Sequence, residues 1–298
     1  MVQVSKVIYE PAMRKILFPF ELDNPIYRES YIYGIKFARN INAELIVLNV
    51  FKVEVGNDIT EEMYGKLKKD NWFKAYNEIC KFNRYYMEDH ARTETDLKIR
   101  FNYRFVNGIL PDEIKSIARE DEVDLIVLPM SDKREFNKRQ LRIIRDNIFE
   151  KNRTSLLVIP YKCAYKPIKN IVFATDLKKL NNFEQYIHDV IDYARIFDSS
   201  IHFIHISSRE KTEDVLNSDT YKLVAQTMKK NTRHTFESLH AKNTIESVNR
   251  YVERSNSDLL VVVKHQHYFL ESILHNSLSH ELSLRSHVPV LVMREKRP

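Results

Sequence analysis

Histidine is concentrated near the end of the chain. Ten of the eleven histidines lie in the second half, and five fall within 23 residues: His265, His267, His275, His280 and His287. His265 and His267 would share one face of a continuing strand, and imidazole is a common zinc ligand. No cysteine or carboxylate at a fixed spacing completes a ligand set, so we predict no metal site. Two interpretations remain: solvated or capping histidines, or histidines lining a cleft that binds an anion below about pH 6.5.

A second cluster is basic and lies in the first half. Six of the thirteen residues from 133 to 145 are cations: Lys133, Arg134, Lys138, Arg139, Arg142 and Arg145. Ammonium and guanidinium groups bind phosphate oxygens through charge-assisted hydrogen bonds, so this segment is a candidate anion site. The alternative is a solvated helix face on which Glu135 and Asp146 balance part of the charge. Aromatic residues do not alternate with these cations, so nucleic-acid binding is not predicted.

No catalytic motif accompanies these clusters. The sequence holds no nucleophile elbow, Walker loop, redox cysteine pair or metalloprotease motif, so we predict no catalytic residues and no enzyme. Cys80 and Cys163 are the only cysteines, which fits a reducing cytosol better than a disulfide framework. No apolar run reaches the roughly 18 residues of a membrane span, and the first residues lack the features of a signal peptide. We therefore expect a cytoplasmic protein with no membrane partner.

The elements that must position these clusters occur twice. Four apolar segments, 16–22, 44–50, 124–130 and 155–159, recur in the same order as 171–177, 200–206, 258–264 and 289–293. Consecutive Ile, Val, Leu and Phe residues are typical of strands covered on both faces of a parallel sheet. With 298 residues, the chain has room for two units of about 150. We predict two tandem open-sheet α/β/α domains, 1–160 and 167–298, each with five parallel strands.

Helical spacing separates these strands. We predict helices over 27–41, 111–119 and 138–150, and over 183–197, 244–254 and 275–285, with additional strands near 99–106 and 235–239. The first unit also has a longer insertion, 59–90, in which Trp72, Tyr76, Ile79, Phe82 and Tyr86 recur at helical spacing. This helix either packs on its own unit or presents an aromatic face to the other unit or to a partner chain.

The order of these segments resembles the universal stress protein family in its tandem, two-domain form. The resemblance is carried by strands that end at Glu21 and Asp176, by the Val106-x-Gly108 segment, and by Asp124 and Asp258 at strand starts. It implies a nucleotide-binding-like fold whose ligands lie beyond the carboxyl ends of the strands. Family members dimerise through their last strands, so segments 155–159 and 289–293 are expected to pair within this chain as an intramolecular pseudo-dimer. Whole chains could still form a homodimer.

The resemblance also locates the family's ATP site. Its ATP-binding members carry an acid after the first strand and a Gly-x-x-Gly, nine residues, Gly-Ser/Thr signature after the fourth. This chain has four glycines and none after Gly108, so both ATP sites look degenerate. The resemblance implies ligand contacts in the second unit from Asp176, Asn276 and Ser277, and the histidine cluster adds His265 and His267 as candidate anion contacts in the same cleft. Weaker anion candidates in the first unit are Glu21, Lys133, Arg134 and Arg142.

Two functional hypotheses follow from the resemblance. The first is a non-enzymatic stress-response protein that binds a protein partner or a small anionic metabolite and needs no cofactor. A formal net charge of +6 is compatible with an anionic ligand. The alternative is a switch that binds ATP or AMP, or a slow ATPase, in the cleft of the second unit.

Overall fold

The computed structural model describes residues 13–22, 26–53, 59–90, 99–131, 143, 154–175, 183–207, 221–222, 225–226, 233–240, 244–263 and 286–293. The strands are β1 Lys15–Pro19, β2 Glu44–Phe51, β3 Arg100–Asn107, β4 Leu125–Pro129, β5 Ser155–Ile159, β6 Asn170–Thr175, β7 Ser200–Ser207, β8 His234–His240, β9 Leu259–Val263 and β10 Val290–Met293. The helices are α1 Ile26–Asn40, α2 Glu61–His90, α3 Leu110–Glu120, α4 Phe183–Phe197 and α5 Thr244–Arg254.

The strands form one ten-stranded sheet with a repeated order. The order is β3-β2-β1-β4-β5 in the first half and β10-β9-β6-β7-β8 in the second. All neighbours are parallel except β5 and β10, which pair antiparallel with Leu157 opposite Leu291. The five parallel strands predicted for each half are confirmed, as is the pairing of the last strands. That pairing makes the two sheets continuous and removes two exposed sheet edges. The division into domains 1–160 and 167–298 stays a prediction.

The same aspartate contact holds the start of each half together. Asp124 Oδ2 accepts hydrogen bonds from the backbone N–H groups of Arg14 and Lys15 at 2.8 and 3.2 Å. Asp258 Oδ2 accepts the equivalent bonds from Lys169 and Asn170 at 2.8 and 2.9 Å. These two markers of the repeat therefore stabilise the amino ends of the strands, opposite the edge where ligands bind in such folds.

The helices end without glycine. Left-handed backbone follows α1 at Asn42 (φ 54°), α3 at Glu122 (φ 52°), α4 at Asp198 (φ 52°) and α5 at Asn256 (φ 46°). In each case the next N–H donates to a carbonyl five residues back, as from Ala43 to Ala38 at 2.9 Å. This geometry is the Schellman motif, in which glycine is the usual residue at the left-handed position. The scarcity of glycine is thus accommodated by polar residues, at a conformational cost that is smallest for asparagine.

Two apolar layers cover the sheet. One layer contains α1, α2 and α4, and the other contains α3 and α5. Both layers contain residues of both halves, and the rings of Phe37 and Phe197 lie 5.5 Å apart where α1 meets α4. In the connecting segment, Tyr165 lies 5.0 Å from the ring of Tyr33 and Ile168 is buried. The connection is therefore part of the core and holds the halves together.

Four of the predicted helices are confirmed in the described part of the chain. Helices α4 and α5 have the predicted bounds, and α1 and α3 differ from theirs by one residue at each end. The facing-in residues of α3, Ile114 and Ile117, are buried. Of the predicted helix 138–150 the structure describes only Ile143, which is helical and buried, and 275–285 lies outside the described residues. Within the described ranges, no helix is both long and apolar enough to cross a bilayer.

Candidate functional site

Each half has a point where the chain changes direction across the sheet. Strand β1 lies between β2 and β4, and β6 lies between β7 and β9. From β1 the chain moves outward to β2 and β3, then returns to β4 on the other side. Side chains at the carboxyl ends of such strands border a crevice, which is where open α/β sheets bind ligands. The candidate sites are therefore these two edges.

Asn49 is the most informative polar residue at the first edge. It lies near the carboxyl end of β2 and is 4% exposed, in a strand whose preceding residues are apolar. Its Nδ2 donates to the carbonyl oxygen of Phe20, just beyond β1, at 2.7 Å. Its Oδ1 is buried and has no hydrogen-bond partner among the described residues. A buried acceptor without a donor costs about 1–3 kcal/mol, so a donor from a ligand would be stabilising there.

His205 occupies the same register position in the second half. Leu48 pairs with Pro19, so the next residue, Asn49, lies opposite Phe20. In the second half His205 pairs with Thr175, and Thr175 is the residue that matches Phe20 in the repeat. His205 is 1% exposed, and Thr175 is also buried. A buried side chain that can form hydrogen bonds thus recurs at the same position of β2 and β7. Sequence reasoning missed both residues, although each is a polar interruption of an apolar run.

Glu21 lies beside Asn49, because it follows the Phe20 carbonyl to which Asn49 donates. It is half-buried, and one of its carboxylate oxygens is fully buried. Across the switch point, Ser131 follows β4 and is buried. Two polar residues in addition to Asn49 therefore border the crevice of the first half, and the ligand contact proposed for Glu21 stays a prediction.

The start of α3 carries acid at this edge. Ile109 occupies the N-cap position without a side-chain hydrogen bond, and Asp112 and Glu113 stand in the first turn. Glu113 folds back over Gly108, where an added Cβ would clash with its Oε1. The carboxylates complement the positive end of the helix dipole and would repel an incoming anion. The N-terminus of α3 is therefore an unfavourable place for an anion.

The outer end of this edge is closed by α2. Asn107, the last residue of β3, accepts from the Val53 N–H at 2.9 Å and donates to the Tyr64 hydroxyl at 2.7 Å. The first turn of α2 is thereby fixed to the carboxyl end of β3, the outermost strand of this half.

Most of the predicted ligand contacts lie outside the described part of the chain. Of that set, only Glu21 falls within the described residues. The others lie outside them: Asp176, His265, His267, Asn276, Ser277, Lys133, Arg134 and Arg142. Among the described side chains no group of three or more His, Cys, Asp or Glu residues could hold a metal ion.

A further polar cluster lies on the sheet face under α5. His202 Nδ1 and Thr235 Oγ1 are 2.9 Å apart, and the Tyr251 ring lies edge-on to the imidazole at 6.2 Å. Burial lowers the pKa of His202, so its imidazole is neutral at pH 7. Arg254 lies over the Tyr251 ring and pairs with Glu237 at 2.8 Å. Because His202 and Thr235 stand near the amino ends of their strands, this cluster is remote from the crevice and serves packing.

Known structures share this architecture over nearly the full chain. A universal stress protein from Archaeoglobus fulgidus superposes with a TM-score of 0.63 at 13% identity, covering 94% of this chain and 96% of that one. The chain has the universal stress protein fold. A functionally unknown protein from Pseudomonas aeruginosa PAO1 matches with a TM-score of 0.52 at 14% identity, covering 95% and 92%. The fold inferred from the sequence resemblance is thereby confirmed.

The same fold also occurs in a different setting. The cytoplasmic domain of a prokaryotic cation chloride cotransporter matches with a TM-score of 0.51 at 9% identity, covering 94% of this chain and 95% of that domain. No protein-family model matches the sequence, and no curated protein is similar to it. Function must therefore be argued from the crevice itself, since one fold supports several functions.

Proposed function

We propose that the chain is a non-enzymatic stress-response protein of the cytoplasm, which binds a small anionic ligand or a protein partner. The ligand would lie at the carboxyl ends of the strands. The observation that carries the proposal is the buried Oδ1 of Asn49 beside the switch point of the first half, which has no hydrogen-bond partner among the residues that the structure describes. An unsatisfied acceptor in a close-packed sheet is unfavourable for folding alone and favourable for a ligand that brings an N–H or O–H group.

The duplication supports the same proposal. His205 repeats the position of Asn49, so both edges carry a buried polar side chain in reach of their switch point. The full-length likeness to a universal stress protein favours the same class of function. A ligand with both an anionic group and a donor would match Asn49 and the basic segment predicted after β4.

A second candidate is a nucleotide-binding switch or slow ATPase that uses the second half. It is favoured by the buried pair Thr175 and His205 at the carboxyl ends of β6 and β7, next to the predicted contact Asp176. In this candidate the nucleotide would be held mainly by side chains, because no glycine lies in the second half.

A thermal-shift titration of the full chain separates these candidates. The probes are ATP, AMP, cyclic AMP and inorganic phosphate, each over several decades of concentration. Binding at 100 times Kd should stabilise the fold by about 2.7 kcal/mol and raise the melting temperature with concentration. We expect a response to a small anion that is weakened in Asn49→Leu and retained in the control Asn77→Leu, which changes an exposed residue of α2.

The response to ATP distinguishes the two candidate functions. A response to ATP that survives Asn49→Leu and is accompanied by phosphate release supports the second candidate. If no probe stabilises the protein, and no ligand or partner is retained when it is purified, the proposal is wrong.

A further inference from the structure

The long helix α2 carries an unusual share of exposed apolar side chains. Seven large hydrophobic residues are exposed in the described part of the chain, and five of them lie on α2: Met63, Leu67, Trp72, Phe73 and Tyr76. Trp72, Phe73 and Tyr76 are 38%, 50% and 37% exposed and neighbour one another. Clusters of this kind on a folded surface mark interaction sites more often than scattered single residues do.

The inner face of α2 fixes which side of the helix is presented. Ala75, Ile79 and Asn83 are buried. Asn83 accepts from the Tyr31 hydroxyl at 3.0 Å, and it donates to the Tyr103 hydroxyl of β3 at 2.6 Å. This buried bridge ties α2 to α1 and to the sheet, so the helix cannot rotate to bury its aromatic residues.

The exposed aromatic residues lie at the outer edge of the sheet. The rings of Trp72 and Tyr76 contact Phe105 of β3 at centroid distances of 5.4 and 6.1 Å. Strand β3 is the terminal strand of the order, so its outer edge has no strand partner within the described ranges. An extended segment could therefore run beside β3 and place side chains against these rings.

Cations accompany the aromatic residues on the same helix face. Lys66, Lys69, Phe73 and Tyr76 follow one another at spacings of three, four and three residues. Both lysines are exposed. We name the five residues Lys66, Lys69, Trp72, Phe73 and Tyr76 the α2 patch.

The local charge is strongly one-sided. Between residues 66 and 76 there are four lysines and a single acid, Asp70. A second copy of this chain would bring like charges together at the patch, so self-association there is disfavoured. An acidic partner would be attracted to it.

The ring geometry favours peptide side chains over nucleic-acid bases. Trp72 and Tyr76 are stacked on each other at 5.3 Å with an interplanar angle of 6°, and Phe73 meets Trp72 edge-on at 5.2 Å. Single-strand binding proteins instead present successive open ring faces along a basic groove. Here the stacked pair already uses one face of each ring, which leaves a rigid apolar platform.

We propose that the α2 patch docks an acidic segment of a protein partner, in which an aromatic or aliphatic residue is flanked by Asp or Glu. The apolar residue packs on Phe73 and the Trp72–Tyr76 pair, and its acidic neighbours meet Lys66 and Lys69. This surface is separate from the crevice where Asn49 lies, so the proposal does not depend on a ligand there.

Selection from a displayed library of random 12-residue peptides tests the proposal on the full chain. We expect the enriched peptides to be acidic and to contain Trp, Phe, Leu or Ile. Trp72 is the only tryptophan of the chain. Enriched peptides that lack tryptophan should therefore shift its emission to shorter wavelength as the indole leaves water.

Matched variants assign the site. Lys69→Glu and Phe73→Ser should each weaken binding of an enriched peptide at least tenfold, or about 1.4 kcal/mol. Lys81→Glu makes the same charge change on α2, but Lys81 lies outside the patch and pairs with Glu78, so its affinity should match the parent. Circular dichroism melts establish that all three variants fold.

Four results would overturn the proposal. The first is that no peptide is enriched, and the second is that the enriched peptides are basic. The third is equal binding by Lys69→Glu and Lys81→Glu. The fourth is a Trp72 emission shift with oligothymidylate or with vesicles of phosphatidylcholine and phosphatidylserine but not with acidic peptides, which would assign the patch to nucleic acid or to a membrane surface.

Discussion

Replacing Asn49 by aspartate changes one atom of the crevice and little of its shape. The protonated carboxyl can keep the bond to Phe20, because its O–H can donate to the carbonyl oxygen that Nδ2 now contacts at 2.7 Å. The ionised carboxylate cannot donate, and it would face that carbonyl oxygen at a similar distance. Asn49→Asp should therefore be tolerated at low pH and destabilising at neutral pH.

The size of the effect follows from burial. Position 49 is 4% exposed, and burial favours the neutral form of a carboxyl. If the folded-state pKa of the introduced carboxyl rises about two units above the unfolded value of about 3.9, the cost at pH 7 is about 2.7 kcal/mol. Below about pH 3 the carboxyl is protonated in both the folded and the unfolded state, so the substitution costs little there. The penalty grows as pH rises toward about 6 and is constant above it.

Urea denaturation of the parent and of Asn49→Asp at a series of pH values measures this directly. Asn77→Asp is the matched control, because Asn77 is exposed on α2 and the same substitution should be nearly neutral at every pH. A penalty for Asn49→Asp that does not vary between pH 4 and pH 7 would refute the burial and the donor role assigned to Asn49.

Three further outcomes are expected. Glu122→Gly should stabilise the fold by about 1 kcal/mol, because Glu122 holds a left-handed backbone at φ 52° that glycine adopts without strain. Asn256→Gly should change the stability less, because asparagine tolerates this conformation better than glutamate, and urea denaturation midpoints measure both effects. Asp124→Ala and Asp258→Ala should each lower the free energy of unfolding by about 1–2 kcal/mol, because each removes an acceptor for two backbone N–H groups. The two losses should agree within about 1 kcal/mol, and clearly unequal losses would contradict an equivalent role in the two halves. Burial lowers the pKa of His202, so the unfolded chain gains the proton first as pH falls through 6.5, and His202→Gln should lose less stability than the parent between pH 7.5 and 5.5.

The strands and helices are predictable because the same pattern of apolar segments occurs in both halves of the sequence. The apolar run of β9 and the helical spacing of α5 each repeat a pattern of the first half, so one half checks the other. The partner of Asp124 was not predictable, because its hydrogen bonds reach Arg14 across 110 residues. The repeat in the sequence identifies Asp124 as a recurring residue, and the fold shows that its carboxylate stabilises the start of β1.

The candidate site was harder to predict. Asn49 stands in an apolar run, and strand periodicity does not show which side chains of a strand reach a switch point. Aligning the halves places Asn49 on His205, and that pair of polar interruptions was the available signal. The predicted contacts His265, His267, Asn276 and Ser277 lie outside the described residues and stay predictions.

Native mass spectrometry of the full chain, purified without a tag under non-denaturing conditions, shows whether the protein holds a ligand or a partner. We expect a retained small anion or a bound protein partner, and a small anion should be lost in Asn49→Leu. ATP held at full occupancy in both halves, or a bare chain mass with no retained ligand or partner, would contradict it.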